Sequence, residues 1–229
     1  IAGDLYDRSV PPTEAVELLN EILFKINIEM KIPVIAISGN HDSAERLSFG
    51  TSWYKQSNLH ISGVFEEKLE PVQIEGVNFY CIPFAEPSVI RVLHQDDSIT
   101  SHQAAMKSII GRIESGLKLD EPNVLVGHAF VTGGQTTDSE RILSVGGSGS
   151  VDAELFAPFS YTALGHLHSP DAIKHDKIYY SGSLLKYSFS EVNHKKSVVI
   201  IDFKEKENLE YKLVPLKPLR DMRVIEGPI

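Results

Sequence analysis

Several large classes are closed to this chain by what it lacks. It has one cysteine, Cys81, so neither an intramolecular disulfide framework nor a cysteine-rich zinc knuckle can be built, and a reducing, cytoplasmic setting is expected. Cys81 lies in the strand-like run Asn78-Phe79-Tyr80-Cys81-Ile82, where a buried structural thiol is expected rather than a nucleophile. No apolar run approaches the roughly 20 residues a membrane helix needs, so no membrane span is expected. Basic residues are scarce: 22 Lys and Arg stand against 31 Asp and Glu, a formal charge of −9. That balance argues against a nonspecific nucleic-acid coat, but not against a local basic groove or an enzyme whose metal ions supply positive charge. There is no internal repeat, no low-complexity tract and no signal-peptide pattern. The opening Ile1-Ala2 reads as the last residues of a strand begun upstream, so a fragment is expected. The 229 residues suffice for one large domain with an ample core.

One local device recurs four times: a short small-apolar run, then Gly, then a side chain able to bind metal. It occurs at Ile1-Ala2-Gly3-Asp4, at Pro33 to Ile37 followed by Ser38-Gly39-Asn40-His41-Asp42, at Val124-Leu125-Val126-Gly127-His128, and at Ala163-Leu164-Gly165-His166-Leu167-His168. Open α/β sheets bind ligands at the carboxyl ends of their strands. Each run should deliver its polar residue there. Asp4 offers a carboxylate able to bridge two ions, Asn40 an amide oxygen, and His128, His166 and His168 imidazoles. Such oxygen and nitrogen donors suit Mn, Fe or Zn. His41, beside a ligand and followed by Asp42, suits an imidazole that stabilises charge or protonates a leaving oxygen. His60, His94, His102, His175 and His194 have no such context and are read as structural. The pattern points to metal-dependent phosphoester hydrolysis.

Between these loops the periodicity is readable. Ala15, Leu18, Leu19, Ile22, Leu23 and Ile26 fall at helical spacing and predict an amphipathic helix over 13–29. Ile32 to Ile37 is a strand, so strand, helix and strand form a βαβ unit with parallel pairing. Residues 43–57 read as helical despite Gly50. Pro71–Ile74 and Val77–Ile82 flank Glu75-Gly76 and predict a hairpin. Helices are expected over 87–93 and 101–117, with Ala105, Ile109, Ile110 and Ile113 on one stripe. Short strands are expected at 124–126 and 161–164, with a Gly, Ser and Thr-rich loop over 131–150 and a helical turn over 151–159. The remainder is strand-rich, at 177–181, 197–203 and 209–214, with a charged turn at 204–208.

The order Gly-Asp-x-x-Asp, Gly-Asn-His-Asp, Gly-His and Gly-His-x-His resembles the calcineurin-like metallophosphoesterase family. Within it, Thr137-Asp138-Ser139-Glu140-Arg141, Tyr180-Ser181-Gly182-Ser183-Leu184 and Ser188-Phe189-Ser190-Glu191 are similar to the nuclease subunits of DNA break-repair complexes. The resemblance implies an α/β sandwich, with two mixed β-sheets packed together and flanked by helices. It implies a metallophosphoesterase domain over 1–215, short of its N-terminal strand, and the start of a DNA-capping domain over 216–229. Asp4 would bridge two divalent ions, Mn or alternatively Mg, Fe or Zn. Asn40, His128 and His166 would complete one ion's set and His168 would bind the other. His41 with Asp42 would be catalytic, and Asp7 and Ser183 would lie near substrate; Arg141, in the Thr and Ser-bearing loop over 131–150, suits either a phosphate contact or a solvated loop. The implied activity is exonuclease action on duplex ends and endonuclease action on single strands or hairpins. The implied partners are DNA, an ATPase subunit and a second copy of the nuclease in a heterotetramer. A phosphodiesterase for small esters and a non-catalytic scaffold share the same motifs. The family's opening Asp-x-His is absent from this sequence, so weak activity and one well-bound ion are expected.

Overall fold

The computed structural model describes residues 1–140, 149–204, 209–225 and 227. After the Gly3-Asp4 turn, helix α1 (Thr13–Phe24) starts behind Pro11-Pro12 and runs on through a π turn over Lys25–Glu29. The helix predicted over 13–29 is therefore present as one rod. The wider π turn is held from within: buried Asn27 donates its amide to the carbonyls of Ile32 and Ser57 at 3.1 and 2.9 Å. Strand β1 (Val34–Ile37) follows, then short helices α2 (Ala44–Leu47) and α3 (Thr51–Tyr54) and strand β2 (Leu59–Ser62). Strands β1 and β2 pair in parallel, and Ala2 bridges Ile37 on the other side of β1. Leu23, Val34, Ala36, Leu59 and Ile61 are buried between α1 and this pair. Only that narrow stripe is covered. Leu18 and Ile22 remain 57% and 43% exposed.

Next come β3 (Val72–Ile74) and β4 (Val77–Ile82), then α4 (Pro87–His94), α5 (His102–Glu114), β5 (Asn123–His128) and the two-residue strands β6 (Phe130–Val131) and β7 (Ser150–Val151). The turn between β3 and β4 has φ of 47° at Glu75 and 81° at Gly76, the left-handed pair of a two-residue hairpin. Strands β8 (Tyr161–Gly165), β9 (Ile178–Tyr180), β10 (Ser197–Phe203) and β11 (Leu209–Pro215) complete the set. A mixed five-stranded sheet has the order β3-β4-β5-β8-β9. Only the β3–β4 pair in it is antiparallel.

Alternation along these strands separates two apolar layers. Tyr80, Ile82, Leu125, Leu164, Ile178 and Tyr180 face α4 and α5, meeting Ile90, Met106, Ile109, Ile110 and Ile113. Each such side chain, fully buried, contributes roughly 1.5–3 kcal/mol. Cys81, Val124, Val126 and Tyr161 face the other way, toward Ile37 and toward Ile201, Phe203 and Leu209 of the β10–β11 ribbon. The α/β sandwich is thus present. Among the described residues its second layer is built from two two-stranded pairs, the parallel β1–β2 and the antiparallel β10–β11. The loop expected over 131–150 is tied at its ends, because β6 and β7 pair in parallel. On the surface beyond α2, Phe49 and Trp53 meet edge to face at 6.2 Å, and Trp53 is 70% exposed.

Candidate metal centre

All four Gly-containing turns meet at the carboxyl ends of β1, β5 and β8. The chain approaches itself closely there. A Cβ on Gly165 would lie 1.7 Å from the carbonyl oxygen of Ala2, and one on Gly39 would lie 2.1 Å from Asp4 Oδ1. Neither glycine can be replaced without moving backbone. Asp4 and His166 themselves sit at φ of 51° and 105°, a region that L side chains avoid and that tends to mark functional positions.

Asp42 locks two of the turns together. It accepts the amides of Gly39, Tyr6 and Leu5 at 2.8, 2.9 and 3.1 Å. Burial, opposed by those amides and reinforced by neighbouring Asp4, leaves its carboxyl above the usual range. Both its oxygens serve backbone rather than the His41 ring, which makes Asp42 a clamp and not a partner of that imidazole. Asp4 is held from the other side, where Oδ1 accepts the His41 amide at 3.0 Å. Burial opposes its ionisation, but His128 and the His41 amide outweigh that and keep the carboxyl below its ordinary value.

The donor atoms converge on Asn40. His128 Nε2 is 2.9 Å from Asn40 Oδ1 and 3.3 Å from Asp4 Oδ2, and His166 Nδ1 is 3.3 Å from Asn40 Oδ1. Atoms bound about 2.0–2.2 Å from one ion stand about 3.0–3.5 Å from each other, so these separations fit a shared cation. Proton placement supports the same fit. His128 Nδ1 lies 2.8 Å from the Ala2 carbonyl, which can only accept, so Nδ1 carries the proton. Nε2 then faces two oxygens, and a proton or a cation must stand between them. His166 is buried beside His128, which pushes its pKa down to about 3 and keeps it neutral, as a ligand must be. Among the described residues no group of three or more His, Cys, Asp or Glu side chains is arranged to hold an ion unaided. The amide oxygen of Asn40 is the member that joins the set.

His41 and His168 flank this centre. His41 Nδ1 is 2.8 Å from the Asp7 carbonyl, so it donates there and leaves Nε2 for a proton in transit. The Asp7 side chain is exposed, 3.2 Å from Arg8 and 3.9 Å from His41 Nδ1. His168 stands with a different group: its Nδ1 is 3.0 Å from both Glu191 Oε1 and Ser139 Oγ. Ser183 receives Lys196 Nζ at 2.7 Å and donates to the Leu185 carbonyl at 2.8 Å. Arg141 lies outside the described residues. Sequence reasoning did not give Glu191, Ser139 or Lys196 a role. Glu191 carried a signal in its Ser-Phe-Ser-Glu motif, whereas Lys196, next to Lys195, reads as one of two solvated lysines.

A carboxylate, an amide and two imidazoles gathered at strand ends, with His41 and His168 beside them, fit a metal-dependent phosphoesterase, and the comparisons agree. The family model for calcineurin-like phosphoesterases matches residues 1–170, and the chain belongs to that family, whose members generally use two divalent metal ions. The chain is 44% identical over 227 residues to the SbcD subunit of the SbcCD nuclease of Staphylococcus epidermidis, covering 99% of this chain and 61% of that one. It is 42% identical over 227 residues to the protein of the same name in Staphylococcus saprophyticus, covering 60% of that relative. The chain therefore spans about three fifths of the length of these curated relatives.

Proposed function

We propose that the chain is the nuclease core of an SbcCD-type complex, hydrolysing phosphodiester bonds of DNA with two divalent ions, Mn in the cell. The observation that supports this best is the convergence of Asp4 Oδ2, Asn40 Oδ1, His128 Nε2 and His166 Nδ1 beside His41. Bound divalent ions would supply Lewis-acid polarisation of a phosphate and a water of lowered pKa. The chain's own residues orient and move protons around that chemistry. Asp4, fixed by the His41 amide, presents its second oxygen to the centre. His41, oriented by the Asp7 carbonyl, keeps Nε2 available to protonate a leaving oxygen or to offset charge on the phosphate. Asp7 and Ser183 are proposed to line the path of the substrate backbone, and Arg141 is proposed from its sequence as a phosphate-binding residue.

The reading extends to action on duplex ends, single strands and hairpins, within a cytoplasmic assembly of two nuclease and two SbcC-type ATPase subunits. Residues 1–215 form the nuclease domain, and 216–229 lead into a DNA-capping domain. The uncovered apolar side of α1, carrying Leu18 and Ile22, supports a contact between two copies. The test is Mn²⁺-dependent digestion of a labelled blunt duplex and a hairpin by the full encoded nuclease with its ATPase partner, beside Asn40→Ala. Digestion lost in the variant is the expected result. Hydrolysis of a small chromogenic diester with both DNAs untouched would turn the reading toward a small-ester phosphodiesterase. Metal binding with neither substrate cleaved would turn it toward a scaffold.

A further inference from the structure

Behind His168 lies a buried ion pair that the chemistry above leaves unused. Glu191 ends a short 3-10 turn and is fully buried, and Lys196, just before β10, is 5% exposed. Lys196 Nζ is 2.6 Å from Glu191 Oε2, and it also donates to the His168 carbonyl at 2.8 Å and to Ser183 Oγ at 2.7 Å. Glu191 Oε1 accepts the Ser139 hydroxyl and faces His168 Nδ1 at 3.0 Å. The preceding loop closes around the same histidine, since Glu140 accepts the His168 amide at 2.6 Å and the Thr137 amide. A buried pair of this kind is weak evidence for stability, because desolvating both charges offsets most of their attraction. Its arrangement around one imidazole calls for another explanation.

The proton positions supply it. The Ser139 hydroxyl hydrogen is directed at Glu191, so Ser139 Oγ can only accept from His168 Nδ1. Glu191 can only accept as well. A bare Nδ1 would confront two lone-pair atoms at 3.0 Å, so Nδ1 carries the hydrogen, and in the neutral ring that a metal ligand requires Nε2 is then the bare nitrogen. We propose that Glu191, neutralised by Lys196, is the positioning residue that fixes the tautomer and ring orientation of His168, presenting Nε2 as the donor atom for a metal ion. The inference rests on reading His168 as a ligand. A carboxylate behind a ligating histidine has this effect elsewhere, and its loss typically weakens metal binding by about 10–100-fold.

Two readouts test it without nucleic acid, so its failure is distinct from failure of the nuclease reading. The first is the tautomer of His168, from long-range ¹⁵N–¹H imidazole spectra of the metal-free protein. The second is uptake of Co²⁺, followed by its visible absorption. Wild type should show the Nδ1–H form. In Glu191→Ala that form should be lost, and the Co²⁺ ion that takes His168, read as the second step of the titration, should bind about ten-fold or more weakly. Glu191→Gln keeps an acceptor oxygen and should recover the tautomer, although it strands Lys196. Where Glu191→Ala does not fold, the double variant Glu191→Met, Lys196→Met removes both charges at similar volume and keeps the same readouts. An Nε2–H His168 in wild type overturns the proposal. So does a folded variant lacking Glu191 in which the tautomer and Co²⁺ uptake are unchanged.

Discussion

His41 is the residue whose loss should separate chemistry from binding. Its ring is anchored by the Asp7 carbonyl rather than by the ion-binding atoms, so His41→Gln should leave Mn²⁺ uptake intact while lowering turnover roughly 10²–10⁴-fold. Calorimetric metal titration beside a nuclease assay reads the two effects apart; parallel loss of both would show that His41 belongs to the metal set. Gly165 fails differently. The carbonyl of Ala2 leaves no room for a Cβ, so Gly165→Ala should destabilise by about 1–3 kcal/mol, as overpacking does, and denaturant midpoints measure it. Cys81 should be inert: burial pushes its thiol up to about 11, so alkylation at pH 8 should be far slower in the folded protein than in denaturant. The ligand residues were legible because each follows a strand and a glycine, a local signal. Glu191 and Lys196 were not, because their roles arise from contacts with His168 and Ser139, 23 to 52 positions away in the sequence.

Among the elements, α1 shows what periodicity can and cannot tell. Its apolar spacing gave the helix and its length, but a stripe from Ala15 to Ile26 reads the same whether one protein or two cover it. Here Leu19, Leu23 and Ile26 pack on β1 and β2, while Leu18 and Ile22 do not. Leu18→Lys with Ile22→Glu should therefore change stability by less than about 0.5 kcal/mol, as surface substitutions do. The same pair should lower self-association measured by sedimentation; an unchanged molar mass would remove α1 from any contact between copies. The five-stranded sheet was legible strand by strand. Its second layer was not, since alternation fixes which face of a strand is apolar but not whether neighbouring pairs hydrogen-bond into one sheet.

For the whole molecule, buried titratable groups set the response to acid. His166 is held near 3 against an ordinary 6.5, so between those values the unfolded chain takes up a proton that the folded one refuses. Stability falls as pH drops through that window, by about 2 kcal/mol at pH 5 from this group. Glu191 acts lower down. Burial opposes its ionisation, but Lys196, Ser139 and His168 hold its carboxyl near 2 against an ordinary 4.5, so its contribution is complete above pH 4.5 and lost as pH falls toward 2. Urea unfolding of chelator-treated protein should show a lower midpoint at pH 5 than at pH 7, and His166→Asn should flatten that difference. The solitary Trp53, perched with Phe49 on the segment that leaves the Asn40–Asp42 turn, gives this molecule a built-in lamp. Its emission should lie to the red, as for an indole in water, and any partner that settles over this shoulder should shift the colour toward the blue, so docking there becomes visible in an unlabelled chain.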